Sequence, residues 1–206
     1  MNRKTALIIL AIVAVGVVGV YLFYQRGQGP AIKPPAEGNI ICFGDSLTYG
    51  TGASEGMDYP NQLSGLIGLP VINAGVPGDT TKDALQRIEK DVLNKSPRIV
   101  LITLGGNDLK NRVGKEEAFR NLKEIITLIK AKGAVVVVAG IDIPLMARGF
   151  GDAYKQVCEE TGSLLIPNIY SGVIGHDDLM SDPIHPNDKG YQIFAERFYA
   201  VIKDLL

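Results

Sequence analysis

The sequence has few of the residues from which many functional sites are built: it contains two histidines, two cysteines and no tryptophan among 206 residues. Two cysteines cannot form the disulfide framework of a small secreted domain, and two histidines argue against a multi-histidine metal site. Neither charge dominates, since 21 basic residues face 22 acidic ones, so the chain lacks the electrostatic signature of a nucleic-acid binder. We therefore expect no metal, no organic cofactor and no nucleic-acid partner.

Charged side chains are also absent from one segment of the chain, residues 6–24. As a helix these 19 residues would span about 28 Å, close to the roughly 30 Å of a bilayer core. Arg3 and Lys4 precede the segment and only Arg26 follows it closely, which predicts a cytoplasmic N-terminus and an extracytoplasmic, periplasmic-side location for the rest. A signal anchor is favoured over a cleaved signal peptide, because cleavage after Gly16 would leave apolar residues 17–24 on the mature terminus.

A spacer and one folded domain are predicted to follow. Residues 25–38 are rich in proline and glycine and are typical of a semi-rigid linker. Residues 31–206 carry 18 basic and 22 acidic side chains, so the chain is mildly acidic once the N-terminal cations are removed. The predicted organisation is thus residues 1–24 as anchor or signal peptide, 25–38 as linker and 39–206 as the functional domain.

In the domain, short apolar runs alternate with longer amphipathic ones, which is typical of βα units on a parallel sheet. Five strands are predicted, at residues 40–43, 71–73, 99–104, 135–139 and 164–166. Apolar residues recur at helical spacing between 85 and 93, between 119 and 129 and between 193 and 202. The predicted fold is a three-layer α/β/α domain around a five-stranded parallel sheet.

Chemistry-bearing residues follow the predicted strands, and in an open parallel sheet the ligand site lies beyond the strands' carboxyl ends. Gly44-Asp45-Ser46-Leu47 follows the first strand, Asn73-Ala74-Gly75 ends the second, and Gly105-Gly106-Asn107-Asp108 follows the third. Asp182-Pro183-Ile184-His185-Pro186 precedes the last helix. A hydroxyl, an amide and an Asp/His pair are therefore expected on one rim.

These segments, in this order, resemble the motif blocks of the SGNH, or GDSL, hydrolase family, over residues 40 to about 191. Tyr59-Pro60 and Gly78-Asp79-Thr80-Thr81 add a likeness to its arylesterase, lysophospholipase and thioesterase I branch. The resemblance implies a flavodoxin-like fold, hydrolysis of carboxylic esters or thioesters and no cofactor. It also implies an oxyanion hole made by the backbone N–H groups of Ser46 and Gly75 and the side-chain amide of Asn107.

The residues themselves predict a catalytic triad. Ser46, at a strand exit beside Gly44, is the candidate nucleophile, and a serine needs a base within hydrogen-bond reach. His185 has Asp182 three residues before it, which can orient the ring and stabilise the imidazolium. His176 is disfavoured as the base because Asp177 and Asp178 follow it in a polar loop.

Several neighbours receive structural interpretations instead. Asp45 is predicted to hold the turn, Asp79 and Thr80 to cap the helix beginning near Thr81, and Asp108 to brace the Asn107 loop. Cys42 is predicted to be a buried, inert thiol, and whether it could pair with Cys158 is left open. Pro183 stands where the family commonly has glycine, so the triad spacing is kept while the loop loses an amide.

The predicted function is a serine esterase acting on small acyl, aryl or lysophospholipid substrates through an acyl-serine intermediate. Two alternatives remain: a deacetylase of cell-envelope polysaccharide with the same triad, and a non-catalytic, membrane-tethered binding module. An apolar acyl-binding wall is one interpretation of a set of residues after Asn107 and Ile141, ordinary packing being the other; they are Leu109, Val113, Ile143, Leu145, Met146 and Phe150.

Overall fold

The computed structural model describes residues 33–143 and 149–206. The predicted membrane segment, residues 6–24, lies outside these ranges, as do most of the predicted linker and residues 144–148. Within the described ranges, no helix is both long enough and apolar enough to span a bilayer. Residues Pro34–Leu206 form one compact unit, which contains the predicted functional domain.

Five strands form an all-parallel sheet in the spatial order β2-β1-β3-β4-β5. They are β1 (Asn39–Gly44), β2 (Val71–Gly75), β3 (Pro97–Thr103), β4 (Val135–Ala139) and β5 (Leu164–Ile166). The three central strands are built mainly from buried Ile, Val and Leu, as expected for a sheet covered on both faces. The five predicted strands are confirmed; β1, β2 and β3 differ from prediction by one or two residues at their ends.

Helices cover both faces of this sheet. The described residues form α1 (Ser46–Tyr49), α2 (Tyr59–Ile67), α3 (Thr81–Asp91), α4 (Gly106–Lys110), α5 (Lys115–Ala131), α6 (Phe150–Thr161) and α7 (Asp188–Ile202), with short 3₁₀ turns at Leu93–Lys95 and Lys203–Leu205. Helix α2 packs against α7, and α5 packs against both α3 and α6. Right-handed crossovers put these two groups on opposite faces, which completes the predicted three layers.

Local sequence explains where the helix that borders the site begins. Thr80 caps α3 through a capping box, in which its hydroxyl accepts the Asp83 N–H and the Asp83 carboxylate accepts the Thr80 N–H. The cap predicted at Thr80 is therefore confirmed. Asp79, predicted to share this role, instead forms an ion pair with Arg87, because its carboxylate lies 2.5 Å from the Arg87 Nε.

The connectivity determines where a ligand can bind. In the order β2-β1-β3-β4-β5 the chain leaves β1 toward one side of the sheet and returns on the other, so a crevice opens where β1 and β3 end. Helices α1 and α4 start directly after these two strands. The segment before α7 reaches the same crevice as a small hairpin, with an antiparallel bridge between Met180 and Pro186.

Candidate active site

Ser46 is the first residue of α1, immediately beyond the end of β1. Asp45 caps this short helix, and its buried carboxylate accepts the Leu47 N–H at 3.0 Å. The turn also needs Gly44, since a Cβ there would collide with the Thr48 and Thr103 side chains. The predicted turn-holding role of Asp45 is confirmed, and the turn presents the half-buried Ser46 hydroxyl to the crevice.

His185 connects Ser46 to Asp182. Its Nε2 lies 3.0 Å from the Ser46 Oγ, and its Nδ1 lies 2.6 Å from Asp182 Oδ2. Serine and histidine are 139 positions apart in the chain, so only the fold brings them together. These are hydrogen-bonding distances, and the arrangement is that of a serine activated by a histidine that an aspartate orients.

The hairpin before α7 holds His185 and Asp182 in this geometry. Asp182 Oδ1 accepts the backbone N–H groups of Ile184 and His185, both at 2.8 Å, while Oδ2 accepts the ring. The Tyr170 hydroxyl donates to the Ile184 carbonyl at 2.5 Å. The Asp182 carboxylate accepts the N–H groups of residues 184 and 185. Pro183 has no N–H, and these hydrogen bonds require none from it.

The Asp182 carboxyl is ionised at neutral pH. Partial desolvation opposes ionisation, but the hydrogen bonds from His185 and from the two loop amides lower the pKa of Asp182 below its usual value. An ionised Oδ2 requires a proton on His185 Nδ1. In the tautomer that carries its proton on Nδ1, Nε2 is the atom that can accept the proton of the Ser46 hydroxyl.

The three predicted oxyanion donors differ in how they are engaged. Within the described residues the Ser46 N–H has no hydrogen-bond acceptor, and the Gly75 N–H donates to the Asn73 side chain at 3.0 Å. Asn107 lines the crevice and its amide donates to Asp45 Oδ2 at 3.3 Å and to the Asp79 carbonyl at 3.0 Å. The longer bond, to Asp45, is the one that an oxyanion could most readily replace.

Gly75 is required for packing as well as for access. A Cβ at this position would collide with the backbone nitrogen of Tyr49 and lie 2.6 Å from the carbonyl carbon of Thr48. The close approach is therefore made by α1. Glycine at the end of β2 lets α1, and with it Ser46, lie directly against that strand.

Three buried carboxylates lie near the crevice, and each has its own partners. Asp79 binds Arg87, and Asp108 accepts both the Thr81 N–H at 2.9 Å and the Thr81 hydroxyl at 2.7 Å. Asp108 thus ties α4 to the start of α3, and its predicted bracing of the Asn107 loop is made through α3. Asp45 has no cationic partner, and burial raises its pKa from 3.8 to about 7, with Asp79 and Asp108 adding repulsion.

Arg87 is a positioning residue that was not among the candidates from the sequence. Its guanidinium donates to the carbonyls of Gly44 at 2.8 Å and Ala74 at 3.0 Å, and also pairs with Asp79 and Asp91. It also stacks 4.5 Å above the Phe43 ring. One side chain therefore joins the ends of β1 and β2 directly below the candidate site. A hint in the sequence is its i−4 spacing from Asp91 on α3.

A cavity of about 430 Å³ opens beside Ser46 and His185. Its walls are mainly apolar side chains from four strand exits and from the hairpin, namely Leu47, Leu109, Ile141, Ile143, Tyr170 and Ile184. Two members of the predicted wall, Leu109 and Ile143, line it; Val113 and Phe150 do not, and Leu145 and Met146 lie outside the described residues. Lys110 and Arg112 complete the rim.

The remaining candidates take no part in this cluster. His176 is exposed in the loop before the hairpin. Cys42 and Cys158 are both buried and free, and burial raises the pKa of each thiol, that of Cys158 to about 11. Cys42 is therefore the buried, protonated thiol that the sequence predicted. Among the described residues, no group of His, Cys, Asp and Glu side chains is arranged to hold a metal ion.

A doubly wound α/β domain with serine, histidine and aspartate joined at the carboxyl edge of its sheet has the architecture of a serine hydrolase. The chain belongs to the GDSL-like lipase/acylhydrolase family, whose model matches residues 42–193. The resemblance found in the sequence is thereby confirmed, and the protein is a serine esterase.

Individual relatives agree with this assignment. The arylesterase of Vibrio mimicus is 30% identical over 172 residues, which cover 78% of this chain and 86% of the relative. Esterase TesA of Pseudomonas aeruginosa is 29% identical over 160 residues, 75% of each chain. A crystal structure of TesA superimposes with a TM-score of 0.77 at 26% identity, covering 82% of this chain and 99% of that one.

The buried Asp45 predicts a specific pH dependence of stability. Because its pKa rises from 3.8 to about 7 on folding, the folded protein binds one more proton than the unfolded chain between these values. The Asp45 contribution should therefore become less favourable as the pH rises from about 4 to about 7, and stay constant above. Urea unfolding of wild type and Asp45→Asn, followed by far-UV circular dichroism, should show the variant gaining stability relative to wild type across this range.

Asp83 offers a control of opposite sign, because hydrogen bonds from Thr80 lower its pKa. Its contribution should be fully present above about pH 5 and be lost as the pH falls below that value. The difference between wild type and Asp83→Asn should therefore be flat from about pH 5 to 7. A flat difference for Asp45→Asn as well would show that Asp45 is ionised in the folded protein throughout.

Proposed function

We propose that Ser46 is the nucleophile of this esterase, that His185 is its general base and acid, and that Asp182 orients and stabilises His185. The observation that supports this most directly is the pair of His185 contacts, 3.0 Å to Ser46 Oγ and 2.6 Å to Asp182 Oδ2, beside a largely apolar cavity. These three side chains are the groups that acyl transfer through a serine requires.

In the proposed acylation step, Ser46 Oγ attacks the ester carbonyl carbon while its proton passes to His185 Nε2. The tetrahedral intermediate then collapses, the bond to the leaving oxygen or sulfur breaks, and His185 returns the proton to the leaving group. Water repeats the sequence against the acyl-serine and releases the carboxylic acid. Asp182 stays ionised throughout and stabilises the imidazolium formed in each half-reaction.

The proposed oxyanion hole comprises the Ser46 N–H, the Gly75 N–H and the Asn107 amide. All three lie where α1, β2 and α4 meet the crevice. Asn107 would exchange its 3.3 Å contact with Asp45 for the oxyanion. Such donors act most strongly in the transition state, because that is when the carbonyl oxygen acquires its charge.

The walls of the cavity favour an apolar acyl or aryl group as the part of the substrate that is buried. Six apolar side chains surround it, and its volume of about 430 Å³ is at the small end of the range for ligand sites. A polysaccharide deacetylase would need an extended polar surface to bind the sugar hydroxyls, whereas most of the surface that lines this cavity is apolar. A tethered binding module would have no chemical need for serine, histidine, aspartate and amide together.

Replacing the nucleophile should abolish catalysis without unfolding the domain. For Ser46→Ala we expect kcat on p-nitrophenyl butyrate to fall by about 10⁴-fold or more, because no covalent intermediate can form. A fluorophosphonate probe should label the wild type at Ser46 and leave this variant unlabelled, as intact-protein mass spectrometry would report.

The two histidines supply a matched control for that experiment. His185→Ala should lose as much activity as Ser46→Ala, whereas His176→Ala, which changes an exposed loop residue, should retain wild-type turnover. Circular dichroism would verify that all three variants are folded. Near wild-type turnover by purified Ser46→Ala, or loss of activity in His176→Ala alone, would refute the proposed mechanism.

Asn107 should affect the transition state more than substrate binding. We expect Asn107→Ala to lower kcat by about 10²- to 10³-fold with little change in KM, since the lost hydrogen bond forms fully only with the oxyanion. Steady-state kinetics on the same ester measures both constants, and thermal unfolding monitors the lost contacts to Asp45 and Asp79. A rise in KM at constant kcat would assign Asn107 to ground-state binding instead.

We also propose that residues 6–24 anchor the enzyme in a membrane, with residues 39–206 on its extracytoplasmic side. Their uncharged, apolar character and the cations before them support this orientation. The full chain should then sediment with membranes, resist carbonate extraction and be degraded by protease added to spheroplasts. Protease resistance in intact spheroplasts would reverse the orientation, and recovery of a shorter, soluble chain would indicate a cleaved signal peptide.

A further inference from the structure

Two cations on the rim of the cavity take no part in the proposed mechanism. Lys110 is the last residue of α4 and Arg112 lies two residues beyond it, and both line the cavity that contains Ser46 and His185. Both are exposed, so they can meet a substrate. The other titratable groups of the lining are the buried Asp45, the Tyr170 phenol and the proposed catalytic His185, so Lys110 and Arg112 are its two exposed cations.

Neither cation has an acidic partner. The described residues form no ion pair that includes Lys110 or Arg112. Residues 1–32 and 144–148 cannot provide one, because their sequences contain no aspartate or glutamate. The two positive charges are therefore uncompensated, although the domain as a whole carries more acidic than basic side chains.

Arg112 also has an unusual backbone conformation. Its φ is +57°, in the left-handed region that glycine adopts freely and a residue with a Cβ adopts at a cost. The position follows the end of α4, where the Val113 N–H donates to the Asp108 carbonyl at 2.9 Å. Glycine would satisfy the backbone here, so the backbone gives no reason for an arginine.

Building on the proposed function, we propose that Lys110 and Arg112 form an anion-binding site at the mouth of the acyl cavity. The site selects esters that carry a phosphate or carboxylate group next to an apolar chain. The apolar chain packs against the wall formed by Leu109, Ile143 and their neighbours, and the anionic group, whether it ends the acyl chain or belongs to the alcohol, reaches the exposed rim. A guanidinium and an ammonium two residues apart match the charge and the acceptor oxygens of such a group.

The exposure of Lys110 and Arg112 to solvent determines how strong a preference for anionic esters they can produce. Ion pairs at exposed sites are weak, so each cation should contribute about a twofold to threefold preference, and the two together up to about tenfold. Salt should reduce that preference, because the screening length falls from about 10 Å at 0.1 M to about 3 Å at 1 M. A role in folding alone would produce neither effect.

The test compares substrates that differ in one anionic group. The first pair is p-nitrophenyl hexanoate and the mono-p-nitrophenyl ester of adipic acid, which places a carboxylate on the acyl side. The second pair is monohexanoylglycerol and its glycerol phosphate analogue, which places a phosphate on the alcohol side. The quantity measured is the selectivity ratio, kcat/KM for the anionic ester divided by kcat/KM for the neutral one.

The variants separate loss of charge from loss of structure. Arg112→Gly removes the guanidinium while relieving the left-handed conformation, so its melting temperature should be equal to or above that of wild type. Lys110→Gln and the double variant remove the other charge. Lys132→Gln is the matched control, because this exposed lysine lies between α5 and β4, at the opposite edge of the sheet.

We expect the double variant to lower the selectivity ratio by up to about tenfold in at least one substrate pair, and Lys132→Gln to leave both ratios unchanged. The pair that responds identifies the side of the scissile bond that carries the anion. In 1 M salt the wild-type ratio should approach that of the double variant. Unchanged ratios in the double variant, with the neutral esters still hydrolysed, would overturn the anion site and leave the esterase mechanism intact. Hydrolysis of none of the four esters by wild type would overturn both proposals.

Discussion

The guanidinium of Arg87 is the interaction on which the geometry of the site most depends. The carbonyls of Gly44 and Ala74 lie at the ends of adjacent strands, and both accept hydrogen bonds from this one side chain. Asp79 and Asp91 balance its charge, so a cation can be held beneath the crevice with few contacts to water. Ser46 and Gly75 each follow one of the two carbonyls by one or two residues. Their relative positions therefore depend on the contacts of Arg87.

Close backbone packing complements this ion-paired support. Gly44 and Gly75 leave no room for a Cβ, so β1, β2 and α1 approach more closely than residues with side chains would allow. On the other side of the crevice, Asp182 accepts two loop amides as well as the His185 ring. A serine and a histidine from distant parts of the chain thus meet between two rigid supports, which is the preorganisation that acyl transfer requires.

Features that depend on neighbouring residues in the chain could be predicted from the sequence, whereas contacts between distant residues could not. The five strands were located because buried parallel strands are continuous apolar runs, and their ends shifted because a run does not show which residue makes the last ladder hydrogen bond. The Thr80 cap and the Asp45 turn are local and were predicted correctly. Asp79 was assigned to the cap, but its partner is Arg87, eight residues away and outside the reach of a capping pattern. The cavity lining also differed, because Tyr170 comes from a segment with no pattern of its own, and the block that contains Ile184 was selected only for its Asp/His pair.

The sequence by itself determined the fold class and the family, because alternating apolar runs and four ordered motif blocks are properties of the linear chain. It also determined the pairing of Asp182 with His185, since three residues of separation suffice for a carboxylate to reach a ring. Only the tertiary structure decided that Ser46 lies 3.0 Å from His185 and that Arg87 joins the ends of β1 and β2. It also decided that Lys110 and Arg112 line the cavity that contains Ser46 and His185. These contacts join residues that are far apart in the chain or that are common on any surface, so their roles arise from packing alone.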